Sequence, residues 1–224
     1  MALSASPQTP AARAPRQDGQ ATRQQILETA GQLFAELGYA NTTSKQICEN
    51  SKANNASVNY HFENKDGLYR AVLREAHDRL LRIETMITLS ESQERAEDKL
   101  RAIITVLIEG LANQREGWAL KVLTRELLSP SSVLPEVLEQ QAFPKAQIVR
   151  NILGQIMQLP PDDPATLRSA VSVFAPCLFL LIAHEPLTRH VLPGLALDPP
   201  ALIEHMMSYA LAGLAAVSRA STPV

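Results

Sequence analysis

Between Thr42 and Lys65 the chain gathers side chains that could hydrogen-bond to flat heterocyclic edges and to a polyanion. Asn54, Asn55, Ala56, Ser57, Asn59, Tyr60 and His61 fall within eight consecutive positions and are small or hydrogen-bonding, with no formal charge when the histidine is neutral. Such residues can approach base edges and phosphates without steric penalty, and an asparagine amide can pair bidentately with adenine. A merely solvated helix face would carry more Lys and Glu. Thr42 and Thr43 offer hydroxyls just upstream, and Lys45 and Lys65 supply cations on either side. Each lysine stands in the first turn of an expected helix, where the macrodipole disfavours positive charge by a few tenths of a kcal/mol or more. A phosphate at that end would reverse the sign.

The elements that must hold these residues are short. Gly38 ends a first helix expected over 21–37, whose Ile26, Ala30, Leu33, Phe34 and Leu37 form one apolar stripe. Thr43 with Gln46 fits a capping box, so a helix should run from Ser44 to Asn50 with Ile47 and Cys48 inward. Ser51-Lys52-Ala53-Asn54 reads as a turn, and Asn54 or Asn55 can cap the next helix, through Phe62. Two short helices set steeply by such a turn make a helix-turn-helix, with the second helix placed to read a major groove.

Residues 21–72 resemble the N-terminal DNA-binding domain of the TetR (tetracycline-repressor-like) family of bacterial one-component regulators. The resemblance is carried by Ile26, Ala30, Phe34, Gly38, Thr42-Thr43, Ile47, Tyr60, Phe62, Lys65 and Leu68 at that family's spacing. The NYHF-x-x-K-x-GLY wording and the later layout are similar to the CecR-like subgroup. One departure stands in the turn, where the family usually has Ala-Gly and this chain has Ser51-Lys52. A lysine there is costly if the backbone needs positive φ. The resemblance implies a ligand-responsive homodimer, a repressor of transcription acting in the bacterial cytoplasm at the nucleoid.

Composition agrees with an all-α protein. Hydrophobic residues make up 46% of 224 and aromatics only 4%, with no period-two run long enough for a sheet. Net charge is −2, and 21–75 holds Arg23, Lys45, Lys52, Lys65, Arg70 and Arg74 against Glu28, Glu36, Glu49, Glu63, Asp66 and Glu75. Any basic footprint must therefore be local. Cys48 and Cys177 lie in apolar helical patterns and read as buried small hydrophobes. His61, His77, His184, His190 and His205 form no close cluster with Cys or carboxylates, so no metal is expected, and no cofactor motif or nucleophile elbow occurs. No enzyme is indicated. Residues 1–20, rich in Ala, Pro and Gln, read as a disordered arm, and no apolar run is expected to span a membrane.

Four parts follow: the arm (1–20), a helix-turn-helix domain (21–70), a helical ligand-binding and dimerisation domain (71–219) and a short tail (220–224). Asn64 should cap a long helix from Lys65 towards Leu89, a lever shared by both domains, with Gly67 loosening its first turn. Helices are expected over 96–113, 118–128, 133–158 (broken or kinked near Pro144), 164–183 and 199–219. The last two are apolar on more than one face. In the first of them Leu167, Val171, Phe174, Leu178 and Leu181 make one stripe. An all-helical domain can form an apolar ligand pocket with a few convergent polar groups, for which Trp118, Arg125, Glu126, Ser172, His184 and Glu185 are candidates. An Arg125–Glu126 ion pair and a core Trp118 are the structural alternative. Surplus apolar faces want a partner, and a two-fold, four-helix interface from Leu178, Leu181, Leu202, Met206, Ala210, Gly213, Leu214 and Val217 fits that need. The expected partners are thus double-stranded DNA, a second copy of the chain and a small-molecule effector. A ligand-independent dimeric DNA binder, or a helical carrier or enzyme without DNA binding, are the competing readings.

Overall fold

The computed structural model describes residues 15–114, 117–195 and 198–221, and every regular element among them is helical. Helix α1, Pro15–Leu37, opens within the stretch expected to be an arm. It ends at Gly38, whose φ of 80° suits glycine. Helix α2, Ser44–Ser51, begins with the expected capping box: the Thr43 hydroxyl accepts from Gln46 N–H while the Gln46 side chain accepts from Thr43 N–H. Helix α3, Asn55–Phe62, is capped by the Asn54 carboxamide accepting from Ser57 N–H at 2.8 Å. Helix α4, Lys65–Leu80, is capped in the same way by Asn64 on Gly67 N–H.

The α2–α3 turn does need positive φ. Lys52 sits at φ 54°, ψ 25°, and Ala53 N–H reaches back to Cys48 O at 3.2 Å, the long bond of a Schellman end. A left-handed conformation costs a non-glycine residue about 1–2 kcal/mol, partly offset by glycine's greater entropy loss on folding. Lys52→Gly should therefore raise stability by about 0.5–1 kcal/mol, read as a higher urea midpoint at unchanged slope. An unchanged or lower midpoint would mean that the lysine side chain repays its strain elsewhere.

One expectation is corrected along the remaining chain. Helix α4 stops at Leu80 and does not run on towards Leu89. Leu81 is extended (φ −160°, ψ 110°), and a separate helix α5, Ile83–Glu91, carries Met86 into the second core. After α6, Ala96–Gln114, and α7, Trp118–Leu128, the irregularity expected near Pro144 is a widened helical turn just before it. Helix α8, Leu134–Val137, passes through a π-helical turn, Leu138–Ala142, into α9, Phe143–Met157. Pro144 has no N–H to continue the ladder, and Phe143 N–H instead reaches Leu138 O, five residues back. Helix α10, Pro164–Pro186, ends in a second π-helical turn, and α11, Pro199–Ser221, closes the described chain.

Buried side chains divide into two cores. The first joins Ile26, Phe34, Ile47, Val58, Phe62, Leu68 and Leu73 with Trp118, Val122 and Val137, so α7 and α8 lie on the helix-turn-helix unit. The second gathers Met86, Leu100, Ile103, Ile104, Leu153, Met157, Cys177 and Met207. Helix α4 gives Leu68, Val72, Leu73 and Ala76 to the first core and half-buried Leu80 to the second. Helix α11 is long and apolar enough to cross a membrane, at a mean hydropathy of 1.3, contrary to expectation. Yet its Ile203, Met207, Ala210 and Leu214 face is spent on the second core.

Candidate functional site

Helix α3 hangs on two buried anchors, Val58 and Phe62, and presents its other side outward. Asn55, Ala56 and Asn59 are exposed, Ser57 and His61 half-exposed, and Tyr60 is 84% exposed. The Tyr60 and His61 rings stand edge to face, their centroids 5.0 Å apart. Asn54 is exposed too, but its carboxamide oxygen is committed to the cap, which leaves its amide N–H groups for other partners. Thr43 is exposed at the start of α2, and Lys45 is nearly free, with Glu49 only at 3.9 Å.

Thr42 is corrected. It is fully buried, and its hydroxyl donates to Gly38 O at 2.8 Å, closing the end of α1 and touching nothing outside. Lys65 keeps its place at the α4 N-terminus, but its ammonium lies 4.3 Å from the Tyr39 ring centroid. Burial pulls its pKa below the ordinary lysine value, with Asp66 opposing. Tyr39 in turn donates to Asp66, and burial and that carboxylate push its phenol up to about 12. One cation escaped the sequence reading. Arg23 of α1 stands 5.0 Å from the Phe62 ring, exposed beside α3, and only its spacing to Ile26 and Leu27 hinted at that face.

The ligand candidates do not come together. Trp118 is buried in the first core, its Nε1–H donating to Glu28 Oε2 at 2.7 Å. Arg125 caps the end of α1 through Ala35 O at 2.7 Å and Glu36 O at 2.8 Å. Glu126 is buried and accepts from Tyr69 Oη at 2.6 Å and from Ser131 N–H and Oγ at 2.9 and 2.6 Å. These three dock α7 on the reading unit, each with its own partners, and the alternative of an Arg125–Glu126 ion pair gives way to separate bonds. Ser172 is exposed and donates to Arg168 O at 3.1 Å. Leu181, His184 and Glu185 lie outside the described side chains.

An apolar cavity opens elsewhere, between α4, α5, α6, α9 and α10, with a volume of about 470 Å³. Leu80, Met86, Ile103, Leu107, Val149 and Phe174 give it aliphatic and aromatic walls. Of the expected α10 stripe, Leu167, Val171, Phe174 and Leu178 line this cavity, with Val171 still 68% exposed, while Val173 and Cys177 are buried in the second core. Cys177 behaves as the expected small hydrophobe, burial pushing its thiol up to about 11, whereas Cys48 is only half-buried. Polar groups enter from His77, Lys145 and Arg150. Burial, with Lys145's charge second, pulls the His77 imidazole down to about 4, so it is neutral at pH 7.

Two family models match the chain. The model of the bacterial regulatory proteins of the tetR family covers residues 26–72, and that of the C-terminal domain of the HTH-type transcriptional dual regulator CecR covers 96–216, more than half of the chain. The chain belongs to the TetR family of bacterial transcriptional regulators. Among curated relatives, TtgR of Pseudomonas putida is 37% identical over 70 residues, 30% of this chain and 33% of that regulator. UidR of Escherichia coli K12 is 23% identical over 119 residues, 46% of this chain and 59% of UidR. This TetR-family chain thus spans less than two thirds of the length of either. Its fold is that of FadR from Bacillus subtilis, solved with stearoyl-CoA, at TM-score 0.64 and 17% identity over 85% of this chain and 98% of that one. It is also that of a tetR-family regulatory protein from Rhodococcus RHA1, at TM-score 0.65 and 18% identity over 86% and 96%.

Proposed function

We propose that this TetR-family chain acts in the cytoplasm as a homodimeric repressor, binding a palindromic operator through residues 21–70 and releasing it when residues 71–219 take up an apolar effector. The observation that carries the DNA reading is the outward face of α3: Asn55, Asn59 and Tyr60 are exposed, uncharged and held by a helix anchored at Val58 and Phe62. Two such helices, related by a two-fold axis, would enter successive major grooves about 34–36 Å apart. Exposed Leu178, Gly213 and Val217, with half-buried Leu202 and Met206, offer the second face for pairing. Ala210 and Leu214 drop out of that face, being buried in the chain's own core.

The effector reading rests on α4. Its first turn adjoins the reading helix, while His77, Leu80 and Leu81 at and just past its other end wall the cavity. An effector that prefers one setting of α4 shifts the operator equilibrium by its differential affinity for the two states and by no more. The stearoyl-CoA held by the FadR neighbour supports a lipophilic occupant.

A mobility-shift assay with the chain's own upstream DNA tests the reading. Retarded migration at low salt is expected, and unchanged migration would overturn it. In the same assay Lys65→Ala should weaken binding to all sequences about equally and lower the salt slope by roughly one. A changed base preference would contradict the phosphate role.

A further inference from the structure

The cavity between α4, α5, α6, α9 and α10 has a charge problem. Lys145 is 9% exposed and lines an apolar space. Its ammonium donates to His77 O at 3.3 Å; of the two carboxylates whose charge acts on it, Asp78 stands at 3.9 Å, beyond hydrogen-bond reach, and Glu84 acts after it. Arg150, the other cation on the wall, is bound to Asp162 at 2.5 Å. The third polar side chain, the His77 imidazole, is neutral at pH 7. An ammonium has three donors and one is used here, so this buried group keeps donor capacity beside a space lined mostly by carbon.

We propose that this cavity takes an amphipathic anion, an aliphatic chain lying along Leu80, Met86, Ile103, Leu107 and Phe174 with a carboxylate bound at Lys145. The volume of about 470 Å³ lies within the range of small-molecule sites, roughly 300–1,000 Å³. Burial already lowers the Lys145 pKa, and a carboxylate brought within about 3 Å would offset that desolvation better than Asp78 does from 3.9 Å. The ligand's headgroup therefore competes with Asp78, and the chain supplies apolar burial that Asp78 lacks. This identification rests on the effector reading above and narrows it to a class.

The test is calorimetric titration of the full chain with decanoate and with 1-decanol, equal in chain length and differing in charge. Decanoate is expected to bind about 10- to 100-fold more tightly, the value of a hydrogen bond to a charged group. Lys145→Met should abolish that preference while keeping decanol binding, and Asp78→Asn should tighten decanoate binding by removing the resident competitor. Equal affinities for the two probes in the wild-type chain, no binding of either, or a preference that survives Lys145→Met would each overturn the proposal. Decanoyl-CoA as a third probe separates the sources of the anion: binding with decanoate weak assigns the site to a thioester and overturns the carboxylate. Operator retardation, read in parallel without ligand, keeps a failure here distinct from a failure of the DNA reading.

Discussion

Gly67→Ala is expected to destabilise the chain by about 2–3 kcal/mol, although helix propensity alone would make it stabilising by about 0.8–1 kcal/mol. A Cβ at position 67 would lie 2.0 Å from the Phe62 carbonyl oxygen, a backbone atom that has no rotamer to escape into. That carbonyl is fixed by its own bond, accepting from Asn64 N–H at 2.7 Å across Glu63, which sits at φ 66°, ψ −54°. These are the dihedrals of a γ-turn with positive central φ, a strained arrangement that a side-chain clash would make harder to hold. Relief requires α3 and α4 to separate, so operator affinity should fall together with stability. Urea unfolding followed by circular dichroism measures the first effect and mobility shift the second. Gly19→Ala, in α1 with open space around its would-be Cβ, isolates propensity and should be neutral to stabilising by up to about 1 kcal/mol. A Gly67→Ala chain as stable as the wild type would show that the joint is not as tight as described.

Gly67 also marks how far the sequence could be read. As a string it reads only as a helix-weakening residue near an N-terminus, because the carbonyl that forbids a side chain belongs to a turn whose dihedrals no residue type announces. Local devices fared better. Thr43 with Gln46, Asn54 and Asn64 were legible because cap and capped group are three residues apart, and all three caps form. Thr42 was misassigned for the opposite reason. Its hydroxyl looks as available as that of Thr43, and only the end of α1 folding over it turns it inward to Gly38 O. The reading helix followed from its own composition, but the cavity did not. Lys145 and His77 come from α9 and α4, each looks like an ordinary surface residue in its own helix, and their meeting is a property of packing. Helix α10 is apolar on several sides, so periodicity could not say which side faces the core and which lines the space beside it. Trp118, Arg125 and Glu126 were rightly noticed as exceptional in an apolar stretch. What the sequence could not supply was their partners, Glu28, Ala35 and Tyr69, which stand on α1 and α4.

Those partners make Trp118→Ala the most damaging of the substitutions considered, at an expected cost of about 3–5 kcal/mol. Trp118 is 6% exposed, and its ring packs so closely on α1 that a Cβ at Gly31 would come within 2.5 Å of it. Truncation to alanine opens a cavity between α1 and α7 that two helices held by other contacts cannot collapse. It also removes a donor. Burial alone would raise the Glu28 pKa, yet hydrogen bonds from Arg79 and Trp118 hold it below the usual carboxylate value. Arg79, 4.7 Å from the indole centroid, loses the ring beneath it at the same time. Trp118→Phe divides these contributions: most of the filled volume is kept and the N–H is lost, so about 1–2 kcal/mol should disappear. Circular dichroism in urea measures both variants, since the sole tryptophan is gone as a fluorophore. Leu120 of α7 packs against the second core, so on the function proposed above the alanine variant should also lose coupling and bind effector and operator more independently. A cost below about 1 kcal/mol for Trp118→Ala would mean that α1 and α7 are held chiefly by Arg125 on Ala35 O and Glu36 O, with the indole a passenger.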